Sequence, residues 1–443
     1  MKIHRRAFLA SAAASTAPYI IPSHVWSAPV KPSDRLTMGF IGMGKRNFTL
    51  LRSFLKHDTQ VLAVCEVDTT RRKAALDMVN EYYEDNPEKK NGDCKAYNDF
   101  RELVARDDID AVCIGTPDHW HTINSLAALR SGKDVFCEKP LTHNIHESKV
   151  LIDAVEKEGR VLQTGSMQRS SREFRVACEL VQNGVIGEID RVECAFGGPA
   201  VACDLPEETM EPGLDWDLWL GPAPKRPYNS VLSPRGKHDH FPNWRKYWEY
   251  GGGSVTDWGA HHVDIAQWGL GMDNSGPVEI LPSPDGPNAQ RGVTLVYDNG
   301  IKVIHKDGFG VHFFGSNGEV KVNRGRFSLT VDGKKITKHT GSEDEVSLGA
   351  ALDKANIEFL TSANIKLYKS DSHNADFLKC VKDRTKPITS EIVGARTAIC
   401  CHLINLAYYH GKKMKWDPAS NQFVGGTGNP AWLTREFRSP WKV

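Results

Sequence analysis

The sequence predicts an α/β protein: a doubly wound parallel sheet in the first half, followed by an α+β half built on a largely antiparallel sheet. Three observations predict it. Apolar runs alternate with helix-spaced segments from residue 35 to about 155, the texture of parallel strands joined by crossover helices. A glycine turn closes the first of those runs. Beyond residue 155, strand-like runs recur around Asn299-Gly300 and Asn317-Gly318, and Asn-Gly pairs mark hairpins.

The chain opens with a segment that reads as an address. Lys2, Arg5 and Arg6 precede a small and apolar stretch ending near Ile21, and a cleavage position follows Ser27. The stretch is too short and too rich in Ala and Ser to span a bilayer. Adjacent arginines before Phe8-Leu9 resemble a twin-arginine export signal, although His4 and Ala10 depart from the usual pattern. Residues 1–27 are therefore predicted to be a signal, and the mature protein to be periplasmic or otherwise exported. That route carries folded proteins, so a cofactor bound in the cytoplasm would travel along. No later segment is apolar enough to anchor in a membrane.

Residues 36–41 read as a buried strand running into Gly42-x-Gly44, with a helix at 48–55 whose apolar side carries Phe48, Leu51, Phe54 and Leu55. A second strand at 60–68 ends in Glu66 and Asp68. The 22-residue interval from Gly44 to Glu66 is close to the ~20 expected between a glycine turn and the acid that holds a ribose. Glycines let the backbone approach a pyrophosphate at the amide end of a helix. A carboxylate at the second strand tip suits a ribose 2′-hydroxyl and repels a 2′-phosphate. NAD is expected as cofactor, NADP less so, with Glu66 the first choice and Asp68 the second. The third glycine of the motif is replaced by Asn47.

The alternation continues through a helix near 100–105, a strand at 111–116, a helix ending near Arg130 and a strand at 134–137. TPDHWH (116–121) and EKP (138–140) fall at strand ends, where ligands of such sheets bind. Thr116, Pro117, His121, Glu138 and Lys139 are accordingly candidate cofactor contacts, beside Gly42, Gly44 and Glu66. This is a Rossmann unit over residues 35–155, with residues 156–443 as the substrate and oligomerisation unit.

IGMG (41–44), TPDHWH, EKP and GGGSVTDWGAHHVD (251–264) together resemble the oxidoreductase family of glucose-fructose oxidoreductase and inositol dehydrogenase. The likeness covers nearly all of the chain after the signal. It implies that Lys139 lies beside nicotinamide and substrate, and that Asp257 and His261 complete the site. DWDLWLGPAP (215–224) and the closing WDP (416–418) are most similar to exported members of that family.

In the second half, strands are expected at 160–165, 189–196, 293–297, 301–305 and 311–314, and helix over 376–410 up to Gly411. The proline-rich and charged segment 203–250 reads as an excursion over the cleft. After the three glycines a helix begins, and Asp257 and His261, at i and i+4, share one face. His261 then takes a hydroxyl proton while hydride leaves the same carbon. Lys139 holds the developing alkoxide, and Asp257 orients substrate or imidazole. Otherwise the segment is a helix start with satisfied polar groups. His262 points about 100° away and is expected to pack. Gln168 and Arg169, after the 160–165 strand, and Trp244 and Arg245 are candidate substrate contacts. Trp244, Tyr247, Trp248 and Tyr250 suit either a sugar ring or loop packing. A metal cluster of His238, His240, His261, His262 and Asp264 has poor ligand spacing, and no metal is expected.

Composition narrows the field of partners. The 443 residues are 40% apolar and 25% charged, which suits a folded chain of two or three domains. Lys plus Arg total 56 against 55 for Asp plus Glu, a balance that argues against nucleic-acid binding. The ten cysteines contain no C-x-x-C pair, and Cys65, Cys113 and Cys137 sit in strand runs as core thiols. The expected partner is a small sugar or polyol, and the family resemblance implies a homo-oligomer paired through the second-half sheet. Three functions compete: net oxidation of a carbohydrate or polyol, redox-neutral epimerisation or glycoside cleavage using retained NAD, and non-catalytic sugar binding.

Overall fold

The computed structural model describes residues 35–286 and 288–443; the export signal expected at 1–27 lies outside them. Strands β1 (Leu36–Ile41), β2 (Thr59–Cys65), β3 (Lys95–Tyr97), β4 (Ala111–Ile114), β5 (Asp134–Cys137) and β6 (Leu162–Thr164) form one sheet. Their spatial order is β3-β2-β1-β4-β5-β6, and every pairing is parallel. The chain reverses its winding between β1 and β4, which opens a crevice at the carboxyl ends of the strands.

Both faces are covered, as a parallel sheet requires. Helices α1 (Lys45–Leu55) and α2 (Thr69–Asp85) bury Phe48, Leu51, Phe54, Val79 and Tyr83 against Phe40, Val64 and Phe136. On the other face, α3 (Phe100–Val104), α4 (His121–Arg130) and α5 (Ile145–Glu158) bury Leu103, Leu126, Leu129 and Leu151 against Ile41 and Ile114. Cys65, Cys113 and Cys137 are free and buried within these cores.

The sheet runs past residue 155. The strand expected at 160–165 belongs to it, because β6 pairs in parallel with Val135–Cys137 and covers the β5 edge.

The second sheet comprises β7 (Ile189–Ala195), β8 (Glu279–Leu281), β9 (Thr294–Val296), β10 (Lys302–Lys306), β11 (Val311–Gly315), β12 (Gly318–Asn323), β13 (Arg326–Val331), β14 (Lys334–His339), β15 (Met414–Asp417) and β16 (Gln422–Val424). Its order is β14-β13-β12-β11-β7-β10-β9-β8-β15-β16, antiparallel except where β10 runs beside β7. Helices α6 (Arg172–Gln182) and α8 (Gly253–Gly269) pack on one face of this sheet through residues such as Phe174 and Val263. A short helix, α7 (Trp216–Leu220), lies in the excursion, and α9 (Leu348–Ala355) follows β14.

The helix expected over 376–410 is two helices, α10 (His373–Asp383) and α11 (Glu391–His410). Pro387 lies in the break between them and has no N–H to continue a helix. Gly411, at φ 58°, caps α11 with its N–H on Ala407 at 3.0 Å. Helix α11 joins the second core through Leu403 and Ile404. Helix α10 instead returns to the first sheet, where the Phe377 ring lies 6.2 Å from Phe54 and 5.7 Å from Phe136.

Candidate active site

The glycine turn is built for a close approach. Gly42 sits at φ 80°, and a Cβ there would meet the Thr116 backbone at 2.8 Å. Gly44 is the N-cap of α1, with no side chain capping the helix and open space where its Cβ would stand. The free amide end of α1 therefore faces the crevice. Asn47, in place of the third glycine, is fully buried and pins the turn. Its Nδ2 donates to Ile41 O at 3.1 Å and to Gly42 O at 3.0 Å. The close packing passes to Gly115 instead, where a Cβ would lie 2.8 Å from Asn47.

Glu66 stands at the tip of β2 and lines the same crevice. Its carboxylate accepts from the Met43 N–H at 2.7 Å and from the Asp68 N–H at 2.9 Å. Asp68, the second choice for the ribose, is occupied elsewhere: it caps α2 by accepting from the Arg71 N–H at 2.8 Å. Arg71 approaches Glu66 to 3.7 Å, but its guanidinium donates to Pro234 O, Gly236 O and Ser233 Oγ. The excursion packs around its own small core of Trp219, Leu232, Trp244 and Tyr250, and forms a wall of the cofactor crevice through Trp219, Leu232 and Trp244.

Residues Arg46, Thr116, Trp244 and Arg245 line both this crevice and a second cavity of about 880 Å³, so the two are contiguous. The second cavity brings together Glu138, Lys139, Gln168, Asp257 and His261. Lys139 Nζ donates to the Asp257 carboxylate and to Asp257 O at 3.1 Å. Asp257 Oδ2 also lies 3.9 Å from Arg245. Burial alone would raise the Asp257 pKa, but Lys139 and Arg245 outweigh it and hold the carboxyl below its usual range.

His261, one helical turn on, is 9% exposed, and its Nδ1 has no hydrogen-bond partner. Burial, reinforced by Lys139, pushes its pKa well below 6.5, so the imidazole is neutral at physiological pH. His262 packs, as its place on the helix predicts: Nδ1 contacts Ala195 O at 2.6 Å, and burial lowers its pKa to about 4.

The other expected residues divide. Thr116 and Pro117 line the cofactor crevice. Glu138 pairs with Arg46 at 2.7 Å. His121 lines the cavity, but its ring nitrogens face Pro140 O at 2.7 Å and Thr116 O at 3.0 Å, so it braces two strand-end loops. Gln168 is 3% exposed, and both its amide atoms lack partners at the cavity wall.

Arg169 is a correction. It is 1% exposed and lies under the cavity, its guanidinium 2.8 Å from Asp264 and 2.7 Å from Asp273. Two carboxylates engage its guanidinium, and it does not line the cavity with Gln168. Trp244 and Arg245 stay at the cleft, with the guanidinium 4.2 Å above the indole. Tyr247 and Tyr250 are buried in the excursion core, and Trp248 packs on Tyr409. His238 contacts the backbone of His240. Among the described residues no His, Cys, Asp or Glu group is arranged to hold a metal, and no helix is long and apolar enough to cross a membrane.

Among the cavity residues that the sequence reading passes over are Arg46, Asp118 and Arg324. Arg46 lies two residues past Gly44, in the first turn of α1, and that position is its signal. Asp118 lies inside TPDHWH; burial raises its carboxyl pKa well above the usual range, against the pull of Arg245 and Lys139. Arg324 occupies a hairpin tip and has no local signal.

Two family profiles match the chain. One, described as an oxidoreductase family with an NAD-binding Rossmann fold, spans residues 36–166. The other, its C-terminal alpha/beta domain, spans residues 200–323, and together they cover more than half of the chain. A "Glycosyl hydrolase family 109 protein" of Shewanella putrefaciens is 30% identical over 213 residues, 44% of this chain and 46% of that protein. The chain thus aligns with less than half the length of that relative. Among solved structures, the WlbA dehydrogenase of Bordetella pertussis, in complex with NADH and UDP-GlcNAcA, superposes with a TM-score of 0.59 at 16% identity, covering 87% of this chain and 97% of that one. The aldose-aldose oxidoreductase of Caulobacter crescentus, complexed with glycerol, gives a TM-score of 0.55 at 16% identity over 86% and 99% of the two chains. At these identities the likeness is one of fold. With both halves matched by one family, the chain belongs to the NAD-binding oxidoreductase family of glucose-fructose oxidoreductase and inositol dehydrogenase.

Proposed function

We propose that the protein oxidises a carbinol carbon of a carbohydrate or polyol, with a nicotinamide cofactor that it retains. The observation that carries this reading is a neutral, unpartnered His261 beside the Lys139–Asp257 pair, in a cavity continuous with the glycine turn. The open space over Gly44 and the uncapped end of α1 suit a pyrophosphate. Glu66 suits a ribose diol, and Arg71 is already bound to backbone, so NAD is the preferred coenzyme. A bound nicotinamide supplies the hydride acceptor.

The residues of the chain do the rest. His261 accepts the hydroxyl proton on a free ring nitrogen. Lys139 stabilises the oxygen as its charge grows, and Asp257 holds the ammonium in place. Gln168 presents an amide to a sugar hydroxyl. The first test is the absorbance and mass spectrum of the purified protein for a retained dinucleotide, then a sugar and polyol panel read at the reduced-nicotinamide band. A protein that neither binds a dinucleotide nor responds to any sugar sinks the proposal.

A redox-neutral variant has support of its own. The Shewanella relative is named a glycosyl hydrolase, and Asp118 in the same cavity is a carboxyl that burial raises well above its usual range, a group that simple oxidation does not require. Cleavage of a nitrophenyl glycoside with no net absorbance change at the nicotinamide band would select it. Arg5 and Arg6 support export with the cofactor in place. Their replacement by Lys should leave unprocessed precursor in the cytoplasm; normal export of that variant would remove this part of the reading.

A further inference from the structure

The substrate cavity holds more positive charge than it neutralises internally. Its lining includes the cations Arg46, Lys139, Arg245, Lys246 and Arg324. Arg46 is matched by Glu138 and Lys139 by Asp257. The acids of the lining are Asp118, Glu138, Glu173 and Asp257, one fewer than the cations, and burial pushes the Asp118 carboxyl well above its usual range, which weakens its countercharge. Arg245 lies 3.9 Å from Asp257, which it shares with Lys139.

Arg324 has no carboxylate partner. It occupies the two-residue turn between β12 and β13, where Asn323 pairs with Arg326. The turn is held from both sides: the Arg324 N–H donates to Asn323 Oδ1 at 2.8 Å, and the Gly325 N–H to Glu173 Oε1 at 3.1 Å. The guanidinium lies 4.6 Å above the ring of Trp258, which stands on α8 between Asp257 and His261. Stacking on an indole fixes the plane of the guanidinium and leaves its donor edge free. Burial and the neighbouring Arg46 hold its pKa below the ordinary arginine range, with Asp257 and Glu138 acting the other way.

The position assigns this charge to substrate and not to coenzyme. Arg324 comes from the second sheet and lies beside Trp258, whereas the glycine turn and Glu66 line the other end of the cleft. Gln168, buried with an unpartnered amide, shows that the same cavity is built to receive a polar ligand.

We infer that the substrate carries an anionic group, a carboxylate or a phosphate, which Arg324 receives at the mouth of the cavity while the reacting carbinol lies at His261. The inference rests on the oxidoreductase reading for the location of the reacting carbon, but the anion site itself does not require turnover. Planar guanidinium donors match either oxyanion in a fork, and Arg245 adds a second positive charge to the same cavity.

The test uses the full-length protein with whatever coenzyme it retains. Titration calorimetry with D-glucuronate, D-galacturonate and D-glucose 6-phosphate is compared with D-glucose and D-galactose. At least one anionic sugar should bind ten-fold or more tightly than its neutral counterpart, and which one separates carboxylate from phosphate. Arg324→Gln should weaken that binding by about 10- to 100-fold, the scale of a charged hydrogen bond, without changing the neutral sugars. Arg324→Lys should restore part of it. Equal binding of charged and neutral sugars, equal losses for both in Arg324→Gln, or no binding of any anionic sugar would overturn the inference. Arg324-dependent binding with no absorbance change for any sugar would leave the anion site standing and remove the oxidoreductase reading. Sugar oxidation at the nicotinamide band, with charged and neutral sugars bound equally and unaffected by Arg324→Gln, would do the reverse.

Discussion

Lys139 on the first half and Asp257 on the second form a single ion pair, in which the ammonium also donates to Asp257 O at 3.1 Å. The pair joins the end of β5 to the second turn of α8, so the geometry of the cavity depends on both halves at once. One turn farther along α8, His261 remains neutral and unpartnered. A cation fixed by its countercharge, next to a free base, is the arrangement that removing a hydroxyl proton requires.

Replacing His261 or Lys139 by Ala should each lower turnover by ~10²–10⁴-fold while the dinucleotide still binds. The two act on one proton-and-hydride event, so the double variant should lose less than the product of the single losses. His262→Ala should lower the Tm and leave kcat nearly unchanged, since its ring is held by the backbone at Ala195 and by packing on Trp258 and is aimed at no reacting group. Because the pKa of His261 lies well below 6.5, any acid limb it causes in kcat should appear below pH 6.5. Loss of turnover in His262→Ala with a fully active His261→Ala would reverse the assignment.

Arg169→Ala should destabilise the fold by about 3–5 kcal/mol, because it strands the buried carboxylate of Asp264. Chemical denaturation gives the stability, and KM gives the contrast. A stable variant whose only defect is a raised KM would return Arg169 to the substrate site.

Glu66→Ala should weaken NAD binding by about 1–3 kcal/mol, the scale of a lost charge-assisted hydrogen bond. It also removes the acceptor of the Met43 N–H, so the glycine turn loosens with it. Tighter binding of NADP than NAD by the unmodified protein would show that Glu66 does not face a ribose diol.

Acid should destabilise the protein before most carboxylates titrate. Burial lowers the pKa of His262, His305, His373 and His402 to about 4 and that of His119 to about 3. The unfolded chain takes up these protons near pH 6.5 and the folded chain does not. The stabilisation is therefore complete above about pH 6.5 and is lost as pH falls toward about 4. Calorimetric Tm values should decline through that window. A flat Tm from pH 7 to 4 would contradict the burial of these rings.

Most of the parallel sheet was legible because its strands are continuous apolar runs and its ligand residues sit at their ends. Lys139, Asp257 and His261 were legible as motif members, although nothing local brings residue 139 beside 257. Arg169 misled because its sequence position, just past a strand, matches a cleft residue. Its partners Asp264 and Asp273 arrive from about a hundred residues away. Arg324 was invisible for the opposite reason: an Arg-Gly turn looks like any exposed hairpin until Trp258 is placed beneath it. The helix break at Pro387 is legible as a residue without an N–H, although the apolar pattern runs on across it.

The return of α10 to the first sheet has a consequence for how the chain matures. Phe54 and Phe136 close their core around Phe377, more than two hundred residues downstream of the nearer of them. Such distant contacts slow folding and leave the nascent first half with an uncovered aromatic surface. A fragment ending near residue 166 should therefore aggregate or recruit chaperones, even though it contains all six strands of the sheet. Synthesis must pass residue 377 before this core can close, so the nucleotide half is a late product of translation despite being encoded first.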